Sequence, residues 1–244
     1  MNTSERLLSQ MMFEFSRQDR GGLYGFTQKL MAYNSNKIEG STLTEDQTAN
    51  IFETGMLSGD GTFFRTKDIE EMSGHFLMFN HMLQTIEKPL TQELIKAYHL
   101  KLKVGVFEDM ANGYPVGEYK NRRNTVGNIE TALPEEVPDR MECLLHNYHE
   151  KKVILLEDIA VFHAMFEQIH PFQDGNGRVG RMIVFRECLY NGIVPVLIQN
   201  KDRFSYYDGL QDASRKKGYE KLCHVFLKAQ REYGNEAVGF LPPQ

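Results

Sequence analysis

The chain has 244 residues, 41% of them hydrophobic and 25% charged. That composition belongs to a folded domain, one large unit or a core with an appendage, and excludes collagen-like and largely disordered chains. Lys and Arg number 28 against 33 Asp and Glu, a formal charge of −5, so there is no broad basic footprint for a nucleic acid or an anionic membrane.

In chain order, Met11-Met12-Phe13 is the first apolar run, and Glu5, Arg6 and Glu14 around it argue against a signal peptide. Thr44-Glu45-Asp46-Gln47 reads as a capping box, predicting a helix through about residue 57. Ile69, Met72, Phe76, Phe79, Leu83 and Ile86 fall on one stripe of a helix that Thr66 would cap and Pro89 would stop. Leu94, Tyr98 and Leu102 continue the pattern after Thr91. Residues 113–134 carry Gly, Pro and β-favouring Val116, Tyr119, Thr125 and Val126, which predicts a short irregular hairpin. Met141, Leu144, Leu145 and Tyr148 mark a helix after Pro138, and Ile159, Phe162, Phe166 and Ile169 mark the next, with Asp158 near its start. Ile193–Ile198 is the most apolar stretch, far short of the roughly 20 residues of a membrane helix, and Pro195 makes it an extended connector. Tyr219, Leu222, Phe226, Ala229 and Tyr233 form a last stripe between Gly218 and Gly234. Cys143, Cys188 and Cys223 are dispersed and odd in number, which points away from a disulfide framework and toward reducing cytoplasm. These signals predict an all-α protein with a hairpin attached. Residues 1–60 would form an N-terminal helical lobe and 61–244 the core.

The chemistry is concentrated in residues 170–181, His-Pro-Phe-Gln-Asp-Gly-Asn-Gly-Arg-Val-Gly-Arg. This is a tight turn between two helical segments, the second running from Met182 to Tyr190. Gly175, Asn176 and Gly177 permit backbone conformations that gather N–H groups, and the turn opens onto a helix N-terminus, where those groups and the dipole attract anions. Arg178 and Arg181 share a face of the first turn, a place where cations are unfavourable unless a polyanion sits there. Asp174 would repel a bare phosphate, and a magnesium ion between them resolves the conflict. His170 is about one turn of chain away and can take a proton from a hydroxyl attacking phosphorus. A glycine turn with solvated arginines explains any one of these residues, but not all of them together. Gly175-Asn-Gly-Arg-Val-Gly180 also matches GxGxxG, yet the strand that must precede a dinucleotide fingerprint is missing. A P-loop is excluded because Arg181-Met182 stands where Lys-Ser/Thr is required.

The run HPFQDGNGRVGR resembles the signature HxFx(D/E)GNGRxxR of the Fic (Fido) family. The resemblance extends over about residues 90–235. It implies a Fic-type helical domain with a β-hairpin flap, and a protein adenylyltransferase that moves AMP from ATP onto a Ser, Thr or Tyr hydroxyl. Carried onto this chain, it makes His170 the general base and Asp174 the residue holding Mg²⁺ at the α- and β-phosphates. Gly175, Asn176 and Gly177 become the anion hole, and Arg178 and Arg181 the phosphate ligands. Val179 and Gly180 fall at variable positions of the same nucleotide-binding segment. Glycine at 177, where the phosphotransferring branch of the family has lysine, favours nucleotide transfer. The 117–133 segment resembles the flap that aligns a target by adding a strand, with Val126, Gly127 and Asn128 at its centre near the nucleotide. Tyr206, Tyr207 and Ser214 resemble the lining of the adenine pocket.

Ser35-Asn-Lys-Ile-Glu39-Gly40 fits the family's inhibitory motif (S/T)xxxE(G/N). Ser35 and Glu39 would share a face of an inhibitory helix, and the resemblance implies that Glu39 pairs with Arg181 and misplaces ATP. Removal of AMP from modified proteins is the second reading. A non-catalytic nucleotide-binding or toxin-like interaction module is the third. Self-association into a homo-oligomer stays open. Cys143, His146 and His149 spread around a helix and do not converge as zinc ligands. Arg215-Lys216-Lys217 and Lys120-Asn-Arg122-Arg123 read as solvated basic runs, the second within the flap.

Overall fold

Asn2 opens the first helix, α1 (Thr3–Ser16), by accepting from the Glu5 amide while the Glu5 carboxyl reaches back to the Asn2 N–H. The computed structural model describes residues 1–57, 63–126 and 129–243. Helix α2 (Leu23–Ile38) starts under the buried Glu14 carboxyl, which accepts from Tyr24 N at 2.7 Å. It ends on Glu39, and Gly40, at φ 87°, turns the chain away.

Helix α3 (Glu45–Thr54) has the predicted Thr44–Gln47 capping box. It stops earlier than residue 57 because Gly55 adopts the left-handed conformation, φ 70°, that ends helices. In α4 (Thr66–Gln84) the cap position belongs to Arg65, and Thr66 is the first helical residue. The first turn is secured instead by Asp68, which accepts from Thr42 N at 2.8 Å and Thr42 Oγ1 at 2.6 Å. Helix α5 (Gln92–Lys103) is capped by Thr91 and crosses α4 closely: a Cβ on Gly74 would lie 1.9 Å from the Leu102 carbonyl oxygen.

After the short α6 (Phe107–Ala111), β1 (Thr125–Val126) pairs antiparallel with β2 (Ile129–Glu130), Thr125 opposite Glu130. Gly127 and Asn128 lie outside the described residues. The chain continues through α7 (Val137–His149), α8 (Leu156–Ile169) and α9 (Asn176–Tyr190), then the extended run 193–198, α10 (Arg203–Ser214) and α11 (Glu220–Ala237). Gly234 does not end the last helix. It sits inside α11, where a Cβ would approach Val194 Cγ1 to 3.1 Å, so a small residue lets the connector pass.

Helix α9 is buried on nearly every side, polar residues Arg178, Arg181, Arg186 and Glu187 included, because its neighbours enclose it. Val179, Met182, Ile183 and Phe185 share one cluster with Leu7 of α1, Tyr24 of α2, Phe79 of α4, Phe166 of α8 and Tyr233 of α11. Val184 and Cys188 face a second cluster with Ile159, Tyr206 and Phe226. Full burial of each large side chain contributes about 1.5–3 kcal/mol, so α9 is the best anchored element and its N-terminus is held still. Buried Arg186 ties it to the α4–α5 connection by donating to the Ile86 carbonyl at 3.0 Å and to the Lys88 carbonyl, and it pairs with Glu187. Among the described residues, no helix is long and apolar enough to cross a membrane.

Candidate active site

The turn before α9 is built by its own side chains. Helix α8 ends at His170, itself left-handed at φ 52°. Asn176 closes the loop from inside: its Oδ1 accepts from Phe172 N and its Nδ2 donates to the Phe172 carbonyl, both at 2.8 Å. Gly175 takes φ 84°, and its N–H donates to Asp174 Oδ1 at 2.7 Å. Phe172 stacks on His99 with ring centroids 4.0 Å apart. His99 Nδ1 accepts from Gly117 N at 2.9 Å, so the ring proton is on Nε2, which donates to the Asp174 carbonyl at 3.1 Å. Burial pushes His99 down to about 3 and keeps it neutral in this role.

His170 faces a cavity of about 350 Å³, shared with Gly177, Arg181, Tyr206, Tyr207 and Ser214. Burial, with the positive charge of Lys120, pushes the imidazole down to about 4, so it is unprotonated at neutral pH. Asp174 and Arg178 open instead on a second cavity of about 620 Å³. Burial works against ionising Asp174, but Arg178 and Lys103 outweigh it and hold the carboxyl well below the usual range. Lys103 Nζ is 2.8 Å from Asp174 Oδ2 and Lys67 Nζ is 3.2 Å from it. Lys103 is itself buried, and contacts Glu71 at 2.5 Å and Asp109 at 2.7 Å.

The two arginines have different partners. Arg178 pairs with Glu71 of α4 and donates to Asn36 Oδ1 at 3.3 Å. Arg181 Nη2 donates to Glu39 Oε1 at 2.6 Å and to the Ser35 carbonyl at 3.0 Å, and its Nε donates to Ser35 Oγ at 3.0 Å. Glu39 borders both cavities. Glycine at 177 leaves room for it in this position: a Cβ would lie 2.3 Å from Glu39 Oε1.

The remaining predicted residues divide. Tyr207 borders the first cavity and donates to the Ile38 carbonyl at 3.1 Å. Tyr206 is buried, its hydroxyl 2.7 Å from His163 Nε2. Ser214 Oγ donates to the Gln211 carbonyl at 2.8 Å within its own helix. Val179 is fully buried in the core, away from the cavity. Gly180 gives room to its neighbours, since a Cβ there would meet Glu167 Oε1 at 2.7 Å and His163 Cε1 at 2.9 Å. Val126 lies in β1, and Gly127 and Asn128 fall outside the described residues.

Sequence reasoning missed Glu71, Lys103, His99 and Glu167. Glu71 had a signal: with Asp68, His75 and Met78 it forms a buried stripe at helical spacing beside the apolar one. The solvated reading of the basic run fails at Lys120, which is 3% exposed and fully hydrogen-bonded, while Arg122 and Arg123 are exposed.

An all-helical domain thus sets a neutral histidine, an anion-attracting turn and two arginines around the start of its central helix. Residues 89–187 match the Fic/DOC family model. The chain's relatives include the protein adenylyltransferase Fic of Nematostella vectensis, 27% identical over 187 residues that cover 75% of this chain and 42% of that protein. The protein of the same name from Aedes aegypti is 28% identical, covering 85% of this chain and 44% of that one. The chain therefore spans less than half the length of these curated relatives. A Fic domain-containing signaling protein from Bacteroides thetaiotaomicron superposes with a TM-score of 0.71 at 25% identity, over 96% of this chain and 92% of that one. A Fic family protein from Desulfovibrio desulfuricans shares the fold with a TM-score of 0.68 at 21% identity, over 98% of this chain and 75% of that one.

Proposed function

We propose that this chain transfers AMP from ATP to a Ser, Thr or Tyr hydroxyl of a protein, and that Glu39 restrains it. The observation that carries the reading is the convergence of His170, Gly177 and Arg181 on one cavity, with Asp174 at the same helix start. Neutral His170 takes the proton of the attacking hydroxyl, whose oxygen bonds to the α-phosphorus. The bond from that phosphorus to the bridging oxygen breaks, and pyrophosphate leaves with the electron pair. Phosphoryl-type transfer needs mainly positioning and charge neutralisation. The α9 N-terminus and Arg181 offer both, provided Arg181 is released from Glu39.

Asp174 fits a magnesium ion in being ionised and 34% exposed, and the ion would have to displace Lys67 and Lys103, which share its Oδ2. Asp174 would hold the ion, and when bound the ion neutralises charge on the α- and β-phosphates. Tyr207 and Ser214 border the space for the base, and residues 117–133 would carry the target as an added strand. Residues 1–60, which supply Ser35 and Glu39, act in this reading as the regulatory lobe.

The test is labelling with ATP radioactive at the α-phosphate. Glu39→Gly should label protein more strongly than the wild type, and His170→Ala should not label at all. Equal labelling in all three overturns the reading. The second reading, removal of AMP, is favoured by the Glu39 carboxyl bordering the cavity that holds His170, where it can orient a water. Release of AMP from a modified protein by the wild type, lost in Glu39→Gly, identifies that activity.

A further inference from the structure

Lys120 is buried, and among the described residues no carboxylate is a hydrogen-bond partner of its ammonium. Its ammonium donates to Asn124 Oδ1 and Thr131 Oγ1, both at 2.7 Å, and to the Ile169 carbonyl at 3.4 Å. Its backbone N–H donates to the Pro171 carbonyl at 2.8 Å. Asn124 Nδ2 adds a bond to the Phe172 carbonyl at 2.9 Å, and Thr131 Oγ1 lies 2.6 Å from Asn124 Oδ1. Asn124 and Thr131 are the two roots of the β1–β2 hairpin, and Ile169, Pro171 and Phe172 bracket His170. The ammonium therefore joins both arms of the hairpin to the residue before the histidine, and the Lys120 backbone and Asn124 hold the two residues after it.

The contrast with Lys103 is instructive. Lys103 is also buried, but three carboxylates surround it. A buried charge with only neutral partners is costly, and a neutral amide could make similar bonds. What the charge adds is its field at His170. We propose that Lys120 is a positioning residue that locks the hairpin to the loop bearing His170, so that one ammonium sets both target alignment and placement of the base. Among the described residues, Lys120 from the hairpin root, Glu167 from α8, Glu39 from the end of α2 and Asp174 from the turn act on His170. Glu167 Oε2 is 3.9 Å from His170 Nδ1. Lys120 opposes Glu39 and Asp174 and favours the neutral ring, while burial pushes the Glu167 carboxyl up to about 8 and leaves it uncharged at neutral pH.

The inference takes its meaning from the proposed transfer reaction, but its test does not depend on that reaction. NMR titration of the full chain follows the His170 ring, identified by its absence in His170→Ala. Amide exchange follows the hairpin roots around Thr125 and Thr131. Lys120→Met should raise the His170 midpoint from about 4 by about one pH unit and speed exchange at the roots by about tenfold. Lys120→Gln, which keeps a donor and loses the charge, should raise the midpoint with a smaller change in exchange. Lys120→Arg should restore the midpoint. If Lys120→Met does not fold, Lys120→Gln carries the test. A His170 midpoint unmoved in the folded uncharged variant overturns the proposal, as does unchanged exchange in Lys120→Met. A chain that never transfers AMP would sink the proposed activity while both of these readouts still judge the clamp.

Discussion

Arg178 and Arg181 stand one turn apart on the same helix, and each meets a carboxylate, yet the two pairs differ in kind. Glu71, the partner of Arg178, is 8% exposed and also binds Lys103. Glu39, the partner of Arg181, is 32% exposed, follows the last residue of α2 and precedes a left-handed glycine. The first pair is part of a network joining α4, α5, α6 and α9, on the wall of the second cavity alone. The second lies on the wall of two cavities. Burial and connectivity of the acidic partner, not the arginine, separate scaffold from latch.

The largest test of that distinction is stability. Glu71→Ala removes the buried carboxylate that Arg178 and Lys103 share, and should cost about 3–5 kcal/mol in urea unfolding. Glu39→Ala should cost no more than about 1 kcal/mol. Equal losses would erase the contrast. Gly180→Ala comes next: helix propensity favours it by roughly 1 kcal/mol, but the crowding against Glu167 and His163 should make it net destabilising by about 1–3 kcal/mol. An Ala variant more stable than the wild type would mean that those side chains can move away. The latch itself is read from activity, where Glu39→Gly should raise AMP transfer by about tenfold, with no comparable gain in Glu71→Gln. The smallest effect is on acid stability. His75 is fully buried, with neither ring nitrogen hydrogen-bonded, and burial followed by Arg178 and Arg181 pushes it down to about 3. His163 is pushed to about the same value by burial and Arg181. Between pH 6.5 and 3 the unfolded chain binds these protons and the folded one does not, so stability falls as pH drops through that window. The slope should be about 1 kcal/mol per pH unit for each ring. Replacing His75 with Phe should flatten part of it.

The turn at 170–181 was legible because its chemistry is contiguous: histidine, acid, glycines and arginines follow one another along the chain. The stripes of α4, α5, α7 and α8 were legible because burial imposes a helical period. Glycines misled the boundaries in both directions. Gly55 ends a helix that the capping box alone would extend, and Gly234 sits within one because Val194 needs the room. Lys103 and Lys120 could not be found this way. A buried lysine looks like a solvated one in sequence, and the acids around Lys103 come from three separate elements. Ser35 and Glu39 were legible as a spaced motif, but their meeting with Arg181, 142 positions from Glu39, needs the tertiary fold.

Glu39 stands at the doorway where two chambers meet. A molecule no longer than a nucleoside can lodge beside Tyr207 and leave that doorway shut. One long enough to touch both Tyr207 and Asp174 must push the carboxyl aside. On the proposed reading of the site, the length of the guest decides whether that carboxyl has to move.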